Sequence, residues 1–392
     1  MRSVNHEILT QQGIKAQHLK EIYLRSLETE GISRAQLKRE MHLSFPSVSV
    51  LVDELIENRI IEETGVVSSV ARGRPSMLLR VCPERYVIPV VTMQHDGYKC
   101  RLFDFAARQI ECIMLPYEAK LLAEADAYGR RQPDMMPFFA PLIRWIAEIK
   151  MHHRPLALLI SSPGNISEDG SLTSSSLRLA IPAGFISYLS ENTGLNVRLG
   201  NTSDDYAYGE YYSSKQTEDF ALILISRGVG AAVVRNGIIV DSRPVRAGEF
   251  GHISIDYRGK DCMCGGKGCL ERYISTAEIA SEANMDFEAL CALYRADDPE
   301  ITRIVNEKAM LLAVGISNML TMQPVRHVIL GGQIMLLGEK FLTAVRENIS
   351  RVGFRKAMDK ISVRYSQSGE GAEALGALRN YLENHLKIED LI

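Results

Sequence analysis

The densest chemistry in the chain lies in two neighbouring runs, Gly248-Glu249-Phe250-Gly251-His252 and Cys262-Met263-Cys264-Gly265-Gly266-Lys267-Gly268-Cys269-Leu270-Glu271. One imidazole and three thiolates make a closed tetrahedral Cys₃His set, the donor pattern of a structural zinc site. The spacing therefore predicts one structural Zn²⁺ per chain on His252, Cys262, Cys264 and Cys269. Gly265, Gly266 and Gly268 are expected to supply the φ > 0 turns that fold Cys264 and Cys269 back onto one ion. A closed set leaves no position for water, which argues against zinc as a Lewis acid. Three of the seven cysteines fall in this run. In a reducing compartment such crowding points to metal before disulfide.

The elements around this cluster follow from length and pattern. At 392 residues the chain suggests two or three domains. Its start, Met1-Arg2-Ser3-Val4-Asn5-His6-Glu7, lacks the apolar core of a signal peptide, and no run of eighteen apolar residues exists. The expectation is a cytoplasmic protein without membrane insertion. A net charge of −3 gives no global sign of nucleic-acid binding, so any DNA contact must come from local charge placement.

The first 81 residues read as helix, helix, tight turn, helix and a two-stranded wing. Leu19, Ile22, Tyr23 and Leu27 give the first helix one apolar face. Ser33-Arg34-Ala35-Gln36 is a capping box that opens the second helix, with Ile32 as its staple. His42-Leu43 forms the turn, and Ser44 caps a third helix that tolerates Pro46 in its first turn. Val48, Leu51, Val52, Leu55 and Ile56 recur at helical spacing as a buried stripe. With that stripe buried, Ser44, Phe45, Ser47, Ser49 and Val50 point outward at the helix start, where a recognition helix meets base edges. Ile60 to Glu63 and Met77 to Arg80 read as paired strands. Between them, Arg72 and Arg74 on a Gly/Pro-shaped tip suit a narrow minor groove. This is a winged helix-turn-helix pattern, and its predicted partner is double-stranded operator DNA. The alternative from the same residues is a three-helix protein-interaction module.

Three strand-to-glycine segments follow: Leu158 to Gly164, Ile223 to Gly230, and Val328 to Gly332. Each alone is a plain βα turn. Together with the cysteine run they resemble the ROK family, which unites bacterial sugar kinases with repressors of the NagC and xylose-repressor type. The resemblance covers nearly the whole chain and places it in the repressor branch. It implies an α/β fold in which the winged helix-turn-helix (1–81) precedes a two-lobed actin/hexokinase-like, ribonuclease-H-like core. The first lobe would span 82–200 with 376–392 returning to it, and the second lobe 201–375. It also implies a sugar site at Asn201, Glu249, His252 and Glu271, with His252 serving zinc and ligand together. Carboxylates there can accept paired hydrogen bonds from vicinal hydroxyls. The plainer reading of Glu249 and Glu271 is that they brace the zinc loop.

Against the family's kinases the chain departs twice. The position of the catalytic Asp holds Thr202, whose hydroxyl cannot take a proton near neutral pH; losing a general base typically costs about 10²–10⁴-fold. Asp204 and Asp205 lie one and two residues beyond the expected register. The phosphate loop, Asp-x-Gly-Gly-Thr in the kinases, reads Thr92-Met93-Gln94-His95-Asp96-Gly97, without paired glycines and with a carboxylate that repels phosphate. The reading is a repressor of sugar-metabolism genes with no catalytic residues, whose cleft senses a sugar or sugar phosphate. The alternatives are release by a partner protein and a sugar kinase with an appended DNA-binding domain. Helix-turn-helix proteins usually bind paired half-sites, so a homodimer or higher homo-oligomer is expected.

Overall fold

The computed structural model of the protein describes residues 11–29, 31–67, 76–117, 122–125, 130–214, 218–240, 249–353 and 360–392. The N-terminal unit contains α1 (Gln11–Glu28), β1 (Ile32–Ser33), α2 (Arg34–Glu40), α3 (Phe45–Glu57), β2 (Ile61–Val67) and β3 (Ser76–Val81). Its three strands pair antiparallel in the order β1-β3-β2. The local signals act as their chemistry requires. Ser33 Oγ accepts from Gln36 N while the Gln36 side chain accepts from Ser33 N, and Ser44 Oγ accepts from Ser47 N. His42 makes the bend between α2 and α3 at φ 55°, a left-handed conformation that costs a non-glycine residue about 1 kcal/mol. Val48, Leu51, Val52 and Leu55 are buried, but Ile56 is only half-buried, because the last turn of α3 runs along the rim of the core.

That core does not stop at the unit's edge. Leu19, Ile22 and Tyr23 of α1 share one apolar cluster with Tyr86, Ile88 and Phe105 and with Leu378, Leu382, Leu386 and Ile388 near the C-terminus. The Tyr23 ring stacks on Phe105 at 4.8 Å and its hydroxyl donates to the Phe105 carbonyl at 2.9 Å. The unit is therefore docked through shared packing, the kind of contact that resists independent motion.

The remaining chain carries two five-stranded sheets of the same topology. The first contains β4 (Val87–Met93), β5 (Gly97–Asp104), β6 (Gln109–Pro116), β9 (Ala157–Ser162) and β13 (Asn196–Asn201) in the order β13-β9-β4-β5-β6. Between β6 and β13 lie β7 (Leu122–Ala125), β8 (Arg131–Pro133), α4 (Met135–His152), β10 (Asn165–Ile166), β11 (Leu172–Ser174), β12 (Leu179–Ile181) and α5 (Phe185–Thr193). Helix α6 (Thr202–Ser213) leads to the second sheet, built from β14 (Phe220–Ile225), β15 (Val229–Arg235), β16 (Ile238–Ile239), β17 (His327–Gly331) and β18 (Ser362–Tyr365) in the order β16-β15-β14-β17-β18. In each sheet the first three strands form an antiparallel meander and the last two add in parallel beside the first. Strands β4 and β9 are buried throughout, as continuous apolar runs at a sheet centre must be.

Helices α7 (Glu271–Ile274), α8 (Thr276–Glu282), α9 (Phe287–Arg295), α10 (Pro299–Met322) and α11 (Gly338–Ile349) cover the second sheet. The last helix, α12 (Ala372–Asn380), returns to the first sheet, where Ala374, Ala377 and Leu378 join the same cluster as α1. Among the described residues no helix is long and apolar enough to cross a membrane.

Candidate functional site

The cysteine run folds as a small knuckle. Cys262 N donates to Gly266 O at 2.9 Å, Gly265 N to Cys262 O at 3.0 Å and Gly268 N to Lys260 O at 2.8 Å. Gly265 and Gly268 have φ of 92° and 67°. Gly266 does not need positive φ, contrary to expectation; its N–H instead points at Cys264 Sγ, 3.4 Å away. Gly268 is constrained most tightly, since a Cβ there would lie 1.7 Å from the Asp256 carbonyl. Leu270 and Phe250, on either side of the knuckle, are buried against α10 and anchor it to the core beneath the second sheet.

The knuckle brings His252, Cys262, Cys264 and Cys269 together with ligand atoms all within 4.8 Å of one another. Cys262 Sγ lies 3.6 Å from His252 Nδ1, and Cys264 Sγ lies 3.6 Å from Cys269 Sγ. Zinc–sulfur bonds of about 2.3 Å at tetrahedral angles give edges of about 3.8 Å, so this donor set fits a zinc-sized ion.

His252 is also a wall of a cleft of about 1030 Å³ whose lining comes from both sheets. Asn201, Glu249 and Glu271 line the same cleft, so the four residues of the expected ligand set are brought together from separate elements. Two of them already hold protein partners. Asn201 caps α6: its Oδ1 accepts from Ser203 N at 2.9 Å and its Nδ2 donates to Gly164 O at 2.9 Å. Glu271 does not brace the knuckle. Its Oε1 accepts from Ser175 Oγ at 2.9 Å, in the loop between β11 and β12, and its Oε2 accepts from Val229 N at 2.9 Å, at the start of β15. One buried carboxylate thus ties the β11–β12 loop to the second sheet.

The inner end of the cleft carries groups that sequence reasoning missed. Arg101, on β5, is 2% exposed and pairs with the Glu373 carboxylate of α12 at 3.1 Å; Thr92 Oγ1 donates to the same carboxylate at 3.2 Å. Lys99 pairs with Glu370. All five residues line the cleft. Thr202 and Asp204 line it as well, whereas Asp205 is buried behind Gly200. The strand β4 ends at Met93 in a tight hairpin, with Gln94 N donating to Gly97 O at 2.8 Å. Gly97 is required there by sheet packing, because a Cβ would meet the Leu115 carbonyl at 2.2 Å. The signals for this end were faint: one Arg in an apolar strand and one Glu in an alanine-rich helix.

Glu210 holds the floor. Fully buried on α6, it accepts from Ser366 Oγ at 2.6 Å, Ser368 N at 3.0 Å, Gln367 N at 3.2 Å and Arg364 Nη1 at 2.8 Å. Burial alone would raise its pKa, yet the Ser366 and Ser368 hydroxyls and Arg364 hold it below the ordinary carboxylate value. This fixes the loop that carries Ser368 to Gly371 into the cleft.

In the N-terminal unit, Ser44, Phe45, Ser47 and Val50 are exposed at the start of α3, with Phe45 50% and Val50 64% accessible. Ser49 is only half-exposed, since its carbonyl accepts from Arg34 at 3.3 Å. Arg34 also pairs with Asp53, and Lys15 with Glu54, so two acids of α3 are neutralised. Arg72 and Arg74 lie outside the described residues.

Comparison with known proteins places these features in context. A sequence model of the ROK family matches residues 109–383. The chain is 23% identical to a xylose repressor of Bacillus spizizenii over 395 residues, covering 97% of this chain and 99% of that protein. It is 28% identical over 256 residues to the DNA-binding transcriptional dual regulator NagC of Escherichia coli, covering 63% of this chain and 60% of that one. Among solved structures, a ROK family transcriptional regulator described as a homologue of the E. coli MLC protein superposes with a TM-score of 0.79 at 21% identity, covering 96% of this chain and 99% of that one. A ROK family glucokinase from Streptomyces griseus, in complex with glucose and AMPPNP, superposes with a TM-score of 0.60 at 19% identity, over 74% of this chain and 97% of its own.

Proposed function

The chain belongs to the ROK family, and on that premise we propose that it is a sugar-responsive transcriptional repressor whose kinase-like cleft senses and does not catalyse. The observation that carries this reading is the joining of two sites in one chain. A cleft lined by Asn201, Glu249, His252 and Glu271 shares its lobes, through α12, with an N-terminal unit that exposes Ser44, Phe45, Ser47 and Val50. In this reading residues 1–81 are a winged helix-turn-helix, Ser44, Ser47 and Ser49 meet base edges, and Arg72 and Arg74 enter the minor groove. Full-length similarity to xylose repressors supports the pairing.

His252, Cys262, Cys264 and Cys269 would hold one structural zinc ion, which would set the loop that presents Glu249 and His252 to the cleft. With Nδ1 on the metal, the second ring nitrogen of His252 remains available to a ligand hydroxyl. A two-fold oligomer would match paired half-sites on the operator.

The inner end of the cleft argues against phosphoryl transfer. A nucleotide triphosphate there would face Glu370, Glu373 and Asp204, and the two nearby cations are already paired with carboxylates. Like charges within a few ångström of phosphate are unfavourable. Asp204 is the one feature that favours a kinase, since it reaches the cleft close to Thr202. A coupled ATP-consumption assay over a panel of hexoses and pentoses separates the two readings.

The test of the repressor is operator affinity with and without effector. An inducer must bind the DNA-incompetent state more tightly, and operator DNA must weaken the inducer by the same factor, typically about 5–150-fold. Glu249→Gln should keep zinc and operator affinity but lose induction. If Glu249→Gln left DNA as readily as the wild type, the cleft would not be the sensor, and release by a partner protein would take its place.

A further inference from the structure

We propose that the effector carries an anionic group, a phosphomonoester on a monosaccharide, and that Arg227 is the residue that selects it. This rests on the sugar-sensing reading of the cleft and names the class of ligand. Among the described residues three cationic side chains of Lys or Arg line the cleft, and two of them are neutralised: Lys99 by Glu370 and Arg101 by Glu373. Arg227 is the exception. It is exposed at the cleft wall, and among the described residues it has no ion pair with a carboxylate.

Its place in the fold gives that charge a direction. Arg227 stands in the turn between β14 and β15, held by Ser226 N donating to Gly228 O at 2.9 Å and by Thr276 N donating to Ser226 O at 2.8 Å. The next residue, Gly228, lies against the first-lobe loop so closely that a Cβ would meet Ser176 Cβ at 2.7 Å and Glu271 Oε2 at 3.2 Å. Arg227 is therefore one residue from the point where the lobes touch and next to the carboxylate expected to hold sugar hydroxyls. His95, across the cleft on the β4–β5 hairpin, shares its field. Burial first, and then the guanidiniums of Arg227 and Arg178, hold the His95 imidazole below its ordinary pKa, with Asp96 offsetting part of the effect.

The chemistry divides the cleft. Glu249 and Glu271 accept hydroxyl protons but repel a phosphate, so an anionic substituent must lie away from them. The guanidinium is planar and always charged, and its fork of N–H donors matches phosphate oxygens bidentately. A free sugar leaves Arg227 hydrated and gains nothing from it. A sugar phosphate replaces that hydration with charge-assisted bonds.

The test uses the full zinc-loaded chain at low salt, with matched pairs of free monosaccharides and their phosphates (hexose 6-phosphates, hexose 1-phosphates and pentose 5-phosphates) titrated calorimetrically. At least one phosphate should bind about 10–100-fold more tightly than its free sugar. Arg227→Ser should erase that preference while leaving free-sugar and operator affinity as they were, and Arg227→Lys should keep part of it. A free sugar that binds as tightly as its phosphate, or a phosphate preference that survives Arg227→Ser, overturns the assignment and leaves the sugar sensor standing. If neither series binds while operator DNA still does, both the subsite and the sugar-cleft reading fall.

Discussion

Ser175 Oγ, in the loop between β11 and β12, donates to Glu271 Oε1 at 2.9 Å. The other oxygen of that carboxylate accepts from Val229 N, so Glu271 is a clasp and a cleft wall at once. In the proposed reading, closure of the cleft and recognition of the ligand would share this side chain. Ser175→Ala removes a hydrogen bond to a buried charge and should weaken effector binding about tenfold, with zinc content unchanged. Small-angle scattering of the ligand-free variant should report a more open core; an identical scattering curve and effector affinity would show that the clasp carries no energy.

The knuckle should hold about one zinc per chain. Cys264→Ser should lose both metal and thermal stability, because metal binding here is also folding energy. Gly268→Ala should do the same with all four donors intact, since its Cβ would collide with the Asp256 carbonyl at 1.7 Å. Elemental analysis of protein purified without added zinc checks both variants, and stoichiometric metal in a Cys262/Cys264/Cys269 triple variant would refute the site.

Glu210 makes stability sensitive to acid. Its pKa is depressed in the folded chain, so its contribution is complete above the ordinary carboxylate range and is lost as pH falls through the folded value. Glu210→Gln should destabilise the protein by about 2–4 kcal/mol at neutral pH, leaving buried donors poorly matched. The same variant should flatten the acid limb of a melting-temperature profile. A parallel profile displaced at every pH would mean that the carboxylate charge is not the stabilising element.

For the DNA contact, Arg72→Ala with Arg74→Ala should lower affinity at every operator variant and flatten the salt dependence, whereas Ser47→Ala should shift which variant is preferred. His42→Gly relieves the left-handed backbone between α2 and α3 and should raise stability by about 0.5–1 kcal/mol without altering the preferred site. Fluorescence anisotropy against a salt series reads the first pair, and chemical denaturation reads the last.

No ATP-dependent sugar phosphorylation is expected, and Thr202→Asp alone should not restore it. The carboxylates of Glu370 and Glu373 would still line the cleft, where they disfavour a triphosphate. Robust turnover by the wild-type chain or by Thr202→Asp would return the protein to the kinases.

Much of this molecule was legible in its residues because the relevant physics is local. The Ser33–Gln36 box, the Ser44 cap and the α3 stripe depend on neighbours within a few positions, and each forms as its spacing requires. The knuckle is equally local, with its donors separated by short glycine-rich turns. The composition of the cleft was visible only through motif resemblance, because its walls come from distant segments. What tertiary structure alone decided are pairings between residues far apart in the chain: Arg101 with Glu373, Glu210 with Arg364, Glu271 with Ser175, Tyr23 with Phe105. A charged residue inside an apolar strand reveals that it needs a partner, because burying it unpaired is costly. Which partner it takes is fixed only when the sheets, α6 and α12 close around it.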